Sequence, residues 1–295
     1  MAREEARWAY IFIAPTIAGF LVFTLGALAY SLYLSFSGAD LMNPPKWVGL
    51  YNYRMTWNDP IFWKALANVG IYTVIAVPFG ILSSFFLAML MNVKVKGITW
   101  FRTIYYSPSV ASVVVTAMIW ISILHPRFGM LNKLLGYAHI PPVDWLSTTW
   151  IMPSIALIAI WSGVGSNMII YLAGLKGISS SLYEAASLDG ANAVQQFIHI
   201  TVPMMTPTLF FTLTMGLISA LQMFSTPFIL TKGSGGPEFA STTPVFMIYN
   251  AGFKYFELGH ASAMAWMLFV IIMVITALNL GSSRRWVFYE GGRAR

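Results

Sequence analysis

Cysteine is absent from the 295 residues, so neither a disulfide framework nor a thiolate metal site holds this fold. Charge is almost as scarce: Asp, Glu, Lys and Arg make up only 9% of the chain, against roughly 25% in an average soluble domain. Its four histidines are scattered and do not cluster as ligands. The dipeptide Gly-Lys occurs nowhere, which removes the phosphate-cradling G-x-x-x-x-G-K-[ST] loop, and neither G-x-S-x-G nor H-E-x-x-H is present. Together these absences argue against ATP hydrolysis, or any catalysis, within this chain.

What is present is apolar. The chain is 58% hydrophobic, with a mean hydropathy of +0.70. Spanning a bilayer takes about 20 apolar residues as helix, and six segments qualify: about 9–36, 65–91, 103–124, 149–175, 205–230 and 260–281. No lysine, arginine, aspartate or glutamate falls inside any of them. The chain therefore reads as an all-α, polytopic membrane protein with six transmembrane helices. Arg3 and Arg7 precede an apolar stretch from Trp8 to Phe36, too long for the roughly 7–15-residue core of a cleaved signal peptide, so the first span is expected to be retained.

Net charge is +7, without any Lys/Arg run interleaved with aromatics, so the basic residues suit anionic lipid headgroups rather than nucleic acid. Arg3, Arg7, Lys94, Lys96, Arg102, Arg284, Arg285, Arg293 and Arg295 sit in short segments on one side, which places both termini in the cytoplasm. External loops then run over 37–64, 125–148 and 231–259. Trp47, Tyr51, Tyr53, Trp57, Trp63 and Trp145 in those loops suit the headgroup level. Pro78, Pro108 and Pro227 interrupt helix hydrogen bonding within spans, either as kinks near a pore or as packing irregularities.

Between the fourth and fifth spans lies a polar stretch, about 179–203. Ser181 with Glu184 fits a capping box for a helix from Leu182, and Gly190 suits a left-handed helix end. A second apolar pattern follows at Ala191, Val194, Phe197 and Ile198, with Gln195, Gln196 and His199 opposite, until Pro203 opens the next span. Ala185 and Ala186 permit close approach of a partner backbone, while Glu184 and Asp189 offer it carboxylates. An amphipathic surface helix would carry lysines and arginines on its polar face, and this one is acidic.

The order Glu184-Ala185-Ala186, Asp189-Gly190-Ala191, Ile200 and Pro203 resembles the EAA loop of binding-protein-dependent ABC importer permeases. Trp47-Val48-Gly49-Leu50-Tyr51-Asn52-Tyr53, Phe101-Arg102-Thr103 and Thr231-Lys232-Gly233-Ser234-Gly235-Gly236-Pro237 extend the resemblance to the first subunit of maltose-like and glycerol-phosphate-like sugar systems. It implies a single type I ABC importer transmembrane domain over 1–295, in a bacterial inner membrane. Residues 184–200 would form the coupling helix, with Glu184, Ala185, Ala186, Asp189, Gly190, Ala191 and Pro203 at the ATPase-coupling positions. It also implies a heterodimer with a second homologous permease, two cytoplasmic ATP-binding subunits and an extracytoplasmic sugar-binding protein. This chain would carry no cofactor, ATP and Mg being bound by the partner ATPase. The extra external domain and additional N-terminal spans of some maltose-type members have no room here.

Spans without ionised side chains suit a neutral, hydroxyl-rich solute such as a di- or oligosaccharide. They fit less well the main alternative, an ion-coupled secondary transporter, which places carboxylates or histidines at membrane depth. Expected lining groups are Trp161, Gly163, Asn167, Ser219, Gln222, Met223 and Phe224. Two readings stand for Asn167 and Gln222, hydrogen bonds to sugar hydroxyls or to a neighbouring helix. Trp161 and Phe224 either stack on a sugar or, like Met223, pack against core or lipid. Gly80, Gly163, Gly165 and Gly174 suit close helix approach.

Overall fold

The structure is a computed structural model that describes residues 2–40, 44–93 and 95–288; the side chains of residues 2–7 are likewise outside the description. Lys94, Arg293 and Arg295, and the side chains of Arg3 and Arg7, which the charge argument uses, therefore lie outside the described residues. Every regular element described is helical: α1 (Ala2–Gly19), α2 (Ala27–Ser35), α3 (Tyr51–Asn58), α4 (Pro60–Met91), α5 (Ile98–Val110), α6 (Val113–Ile123) and α7 (Met130–Tyr137). There follow α8 (Ile151–Gly177), α9 (Ser180–Leu188), α10 (Ala193–Gln196), α11 (Val202–Leu221), α12 (Ser225–Leu230), α13 (Pro244–Tyr249) and α14 (Leu258–Trp286). Widened π-type turns at 20–26, 197–201 and 250–254 join α1 to α2, join α10 to α11 and follow α13. Five helical stretches are long and apolar enough to cross a membrane, or six if the bent pair α5–α6 is one span.

That bend departs from the straight span expected over 103–124. α5 and α6 meet at 96° across Ala111 and Ser112. Pro108 has no N–H to give the Ile104 carbonyl, which accepts instead from the Ser107 hydroxyl at 2.9 Å, and Ser109 donates to Tyr106 O at 2.7 Å. The span expected over 205–230 is likewise interrupted, because α11 stops at Leu221 and α12 begins at Ser225. Pro227 cannot donate to Met223 O one turn back. Thr243 Oγ1 takes that place at 2.7 Å. Pro78, by contrast, sits inside an unbroken α4.

The chain divides into two compact units. The first comprises 1–62 and 244–270. Its first span, Trp8–Ser35, has none of its most apolar window buried within the chain, so that surface is left for lipid or another subunit. The segment after it is tied down by buried Asn52, which donates to Ser35 O at 3.0 Å and Ser37 O at 2.9 Å. Tyr53 shares a 2.7 Å hydrogen bond with Ser35, and Phe36 lies between the rings of Trp47 and Tyr53. Of the aromatics assigned to headgroups, Tyr53 is thus half-buried and committed to packing, while Trp47 stays largely exposed. Gly259, at the start of α14, lies so close to Ser37 O that a Cβ has no room.

The second unit comprises 63–243 and 271–295. One apolar cluster joins α4, α8 and α11 through Leu87, Ala88, Met168, Tyr171, Leu172 and Met205, and the Tyr171 hydroxyl bonds Thr212 at 2.6 Å. A second joins α6, α8 and α12 around Trp120, Leu124, Ile155 and Leu230. Gly165 faces the Tyr105 backbone with no space for a side chain, which sets how closely α5 and α8 approach. Arg102 donates to Met91 O at 2.6 Å and so closes the C-terminus of α4. Asn68 donates to Phe239 O and Thr242 O, both at 2.9 Å, and secures the glycine-rich turn in which Gly233, Gly235 and Gly236 all adopt positive φ.

Asn132 organises the loop between α6 and α8. It donates to Pro126 O and Val143 O and accepts from Val143 N and the Trp145 indole at 2.8–3.2 Å. Trp145 is therefore half-buried rather than a free headgroup anchor. Replacing Asn132 by Leu strands these partners and is expected to destabilise the detergent-solubilised protein by about 1–3 kcal/mol. A lowered thermal midpoint with altered tryptophan emission checks this, and an unchanged midpoint contradicts it.

Candidate functional site

The second unit holds two features with chemistry to offer. The first is a cavity of about 300 Å³ between α4, α8 and α11. Small residues at four-residue spacing make the space: Ala76 and Gly80 on α4, Ala159 and Gly163 on α8, Gly216 and Ala220 on α11. Tyr72, Asn167, Thr212 and Ser219 supply polar groups to the lining, and no lining residue is ionisable to a charge near neutrality. No side-chain hydrogen bond of Asn167 occurs among the described residues. Its amide is thus left for a solute, water or another chain.

Of the residues expected to line the pathway, Gly163, Asn167 and Ser219 border this cavity and the other four do not. Trp161 sits on another face of α8, edge-on to Trp120 at 5.8 Å. Gln222, Met223 and Phe224 form the interruption after α11, where Met223 packs against the Trp120 cluster and Phe224 against Phe228 at 5.1 Å. A continuous helix would have carried them along the cavity face; the break caused by Pro227 redirects them. Tyr72, Phe211, Thr212 and Met215 were missed, although the register of small residues marks their face. Among the glycines, Gly165 and Gly174 abut neighbouring atoms, whereas Gly80 and Gly163 have no close neighbour and leave the cavity open.

The second feature is the helix pair after α8. Ser179, not Ser181, caps α9, accepting from Ser181 N at 3.3 Å, so the helix begins at Ser180 rather than Leu182. Glu184 consequently closes no capping box and is exposed, as is Asp189, and neither forms an ion pair among the described residues. Gly190 has φ +82°, Gly190 N donates to Ser187 O at 3.1 Å, and Ala191 N donates to Ala186 O at 2.9 Å. This is the Schellman arrangement, which ends α9 with its last carbonyls satisfied. A capping box does occur two residues later, where Asn192 and Gln195 exchange hydrogen bonds of 2.8 and 2.9 Å.

From Ala193 the helix runs without a break to Leu221, so Pro203 does not open a separate element. The widened turn at 197–201 accommodates it, since Pro203 neither donates to His199 O nor tolerates it at normal helical distance. The same widening changes the expected face. Phe197 turns inward onto Phe85 and Ile200 onto the core, while Val194 and Ile198 are 65% and 53% exposed. Leu188 at the bend is 90% exposed. Exposed apolar side chains beside two carboxylates thus form a short, exposed knob. A groove of about 310 Å³ runs alongside it, bordered by Ala186, Asp189, Gly190 and His199.

An all-helical membrane chain with a charge-free cavity and such a projection between its fourth and fifth spans has the fold of an ABC importer transmembrane domain. The structure superposes on a chain of a bacterial alginate ABC transporter, crystallised with an alginate pentasaccharide-bound periplasmic protein, with a TM-score of 0.82 over 96% of both chains at 24% identity. The chain belongs to the family of binding-protein-dependent transport system inner membrane components, whose sequence profile matches residues 76–286. It is 39% identical over 98% of its length to the probable ABC transporter permease protein YesP of Bacillus subtilis, of which 94% is covered. It is 35% identical to the lactose transport system permease protein LacF of Rhizobium radiobacter, with 93% of each chain covered.

Left-handed backbone costs a residue with a Cβ about 1–2 kcal/mol. Gly190→Val is therefore expected to fray α9 by that amount, seen as faster hydrogen exchange at the Ala191 amide; unchanged exchange contradicts the Schellman assignment.

Proposed function

We propose that this chain is one of two permease subunits of a sugar-importing ABC transporter, forming half of the translocation pathway, and that the α9–α10 projection receives a cytoplasmic ATPase subunit. The observation that carries the proposal is the coexistence, in one compact unit, of an uncharged cavity and a projection with exposed Leu188, Glu184 and Asp189. Glu184, Ala185, Ala186, Asp189, Gly190 and Ala191 form or flank the knob. Pro203 acts from within the helix that follows it. ATP and Mg bind to the partner ATPase pair, and the solute arrives on an extracytoplasmic binding protein. Both termini face the cytoplasm, on the same side as the projection.

Sugar is favoured by chemistry and by kinship. Hydroxyls exchange hydrogen bonds with an amide and with other hydroxyls without needing a charge, and Asn167, Ser219 and Tyr72 supply such groups. Relatives carry names for lactose, arabinooligosaccharide and sulfoquinovosyl glycerol transport, at 35%, 31% and 30% identity. The cavity lies at the small end of the roughly 300–1,000 Å³ typical of ligand sites, consistent with a second subunit completing it. Movement of the ATPase pair displaces the projections, and the packed helices convert that displacement into alternating access.

Reconstitution with the second permease, the ATPase and a binding protein loaded from a panel of di- and oligosaccharides tests this. ATP-dependent uptake is expected. Asn167→Ala is expected to lower it about tenfold, as loss of a hydrogen bond in a desolvated site would, and Gly163→Leu to abolish it by filling the cavity. Uptake driven by an ion gradient without the ATPase overturns the proposal.

A further inference from the structure

The projection is fastened unequally to the two spans it connects. It leaves α8 through Ile178 and Ser179, and among the described residues no side-chain hydrogen bond runs from α9 back to α8. Toward the continuous helix that starts at Ala193 and carries α11, α9 and the turn after it are bonded at two levels. The Tyr183 hydroxyl and Thr201 Oγ1 lie 2.9 Å apart. Gln196 Nε2 donates to Ser187 Oγ at 2.9 Å and to Ala191 O at 3.2 Å. The second of these is exposed and competes with water; the first is partly buried, and Thr201 itself is buried.

The position of the first bond matters more than its strength. Thr201 is the last residue of the widened turn, two residues before Pro203, where the backbone ladder is weakest because one N–H is missing and the turn is over-wide. A push on α9 would flex there before reaching the cavity-lining turns of α11, Phe211 to Ser219, unless the turn is braced. Tyr183 spans it from outside the helix, and its ring packs on the apolar cluster shared by α4, α8 and α11, so apolar contact favours neither span and the hydrogen bond to Thr201 is the directional tie.

We propose that the Tyr183 hydroxyl is this brace, a positioning group that transmits displacement of α9 through Thr201 into α11. The inference rests on the docking reading of α9–α10, and it assigns the transmission to α11 rather than α8.

The natural absence of cysteine from this chain permits a single reporter on it, Ser219→Cys, whose labelling is read on this chain after separation from the second permease and ATPase of the full complex. Mg-ATP is expected to change its labelling rate with N-ethylmaleimide. With Tyr183→Phe, which keeps the ring, the ATPase still co-purifies, but the ATP-induced change should shrink about three- to tenfold, the scale of one interhelical hydrogen bond. Thr201→Val should do the same, and the double variant should be no worse than either single one. A wild-type response in Tyr183→Phe, additive effects in the double variant, or loss of ATPase capture on Tyr183→Phe each overturns the brace. Glu184→Lys separates the two levels of argument: if it retains both capture and response, the docking reading itself fails; if it loses capture while Tyr183→Phe responds normally, only the brace fails.

Discussion

A helix interrupted in an apolar layer leaves carbonyl groups facing no N–H, and no water is there to take them. In this protein side chains meet that need at several helix ends and breaks, both within the spans and in the loops that join them. Buried Asn52, Asn68 and Asn132 each donate to two loop or helix-end carbonyls. Arg102 closes α4, serines close α5, and Thr243 replaces the donor that Pro227 lacks. Because the breaks are satisfied locally, the spans can bend and stop without ionised groups at membrane depth, and the cavity between α4, α8 and α11 stays free of charge.

The same accounting explains the projection. α9 ends in a Schellman turn and the long helix from Ala193 begins in a capping box, so the two meet at the Gly190 bend with their backbone groups satisfied. Their exposed side chains are then free for a partner. An uncharged cavity suits a polyol, and a rigid knob suits a docking cleft.

Much of this was legible in the sequence. The apolar stretches gave the all-helical membrane architecture, and the Glu184 to Pro203 pattern located the projection and its Gly190 bend. What was not legible follows from effects of proline and register that act at a distance. The third span bends where Ala111 and Ser112 turn extended, beyond a helix that runs through Pro108, and the donor missing at Pro227 stops α11 short, which carries Gln222, Met223 and Phe224 off the cavity face. The capping box attributed to Ser181 and Glu184 belongs to Asn192 and Gln195, because Ser179 caps α9 two residues earlier than the pattern suggested. The amides that tie the structure together are Asn52, Asn68 and Asn132, while Asn167, where a helix contact and a solute contact were equally open, makes no side-chain hydrogen bond among the described residues. Only tertiary position distinguishes these asparagines.

The central claim is that the α9–α10 projection is the face on which an ATPase subunit sits. Its most direct test is the reactivity of a single thiol, Leu188→Cys, in membranes with and without the ATPase subunit. The account predicts fast labelling of the free permease and strong protection once the ATPase is bound, with Trp8→Cys on the first span unaffected. Equal labelling of Leu188→Cys in both membranes would contradict it.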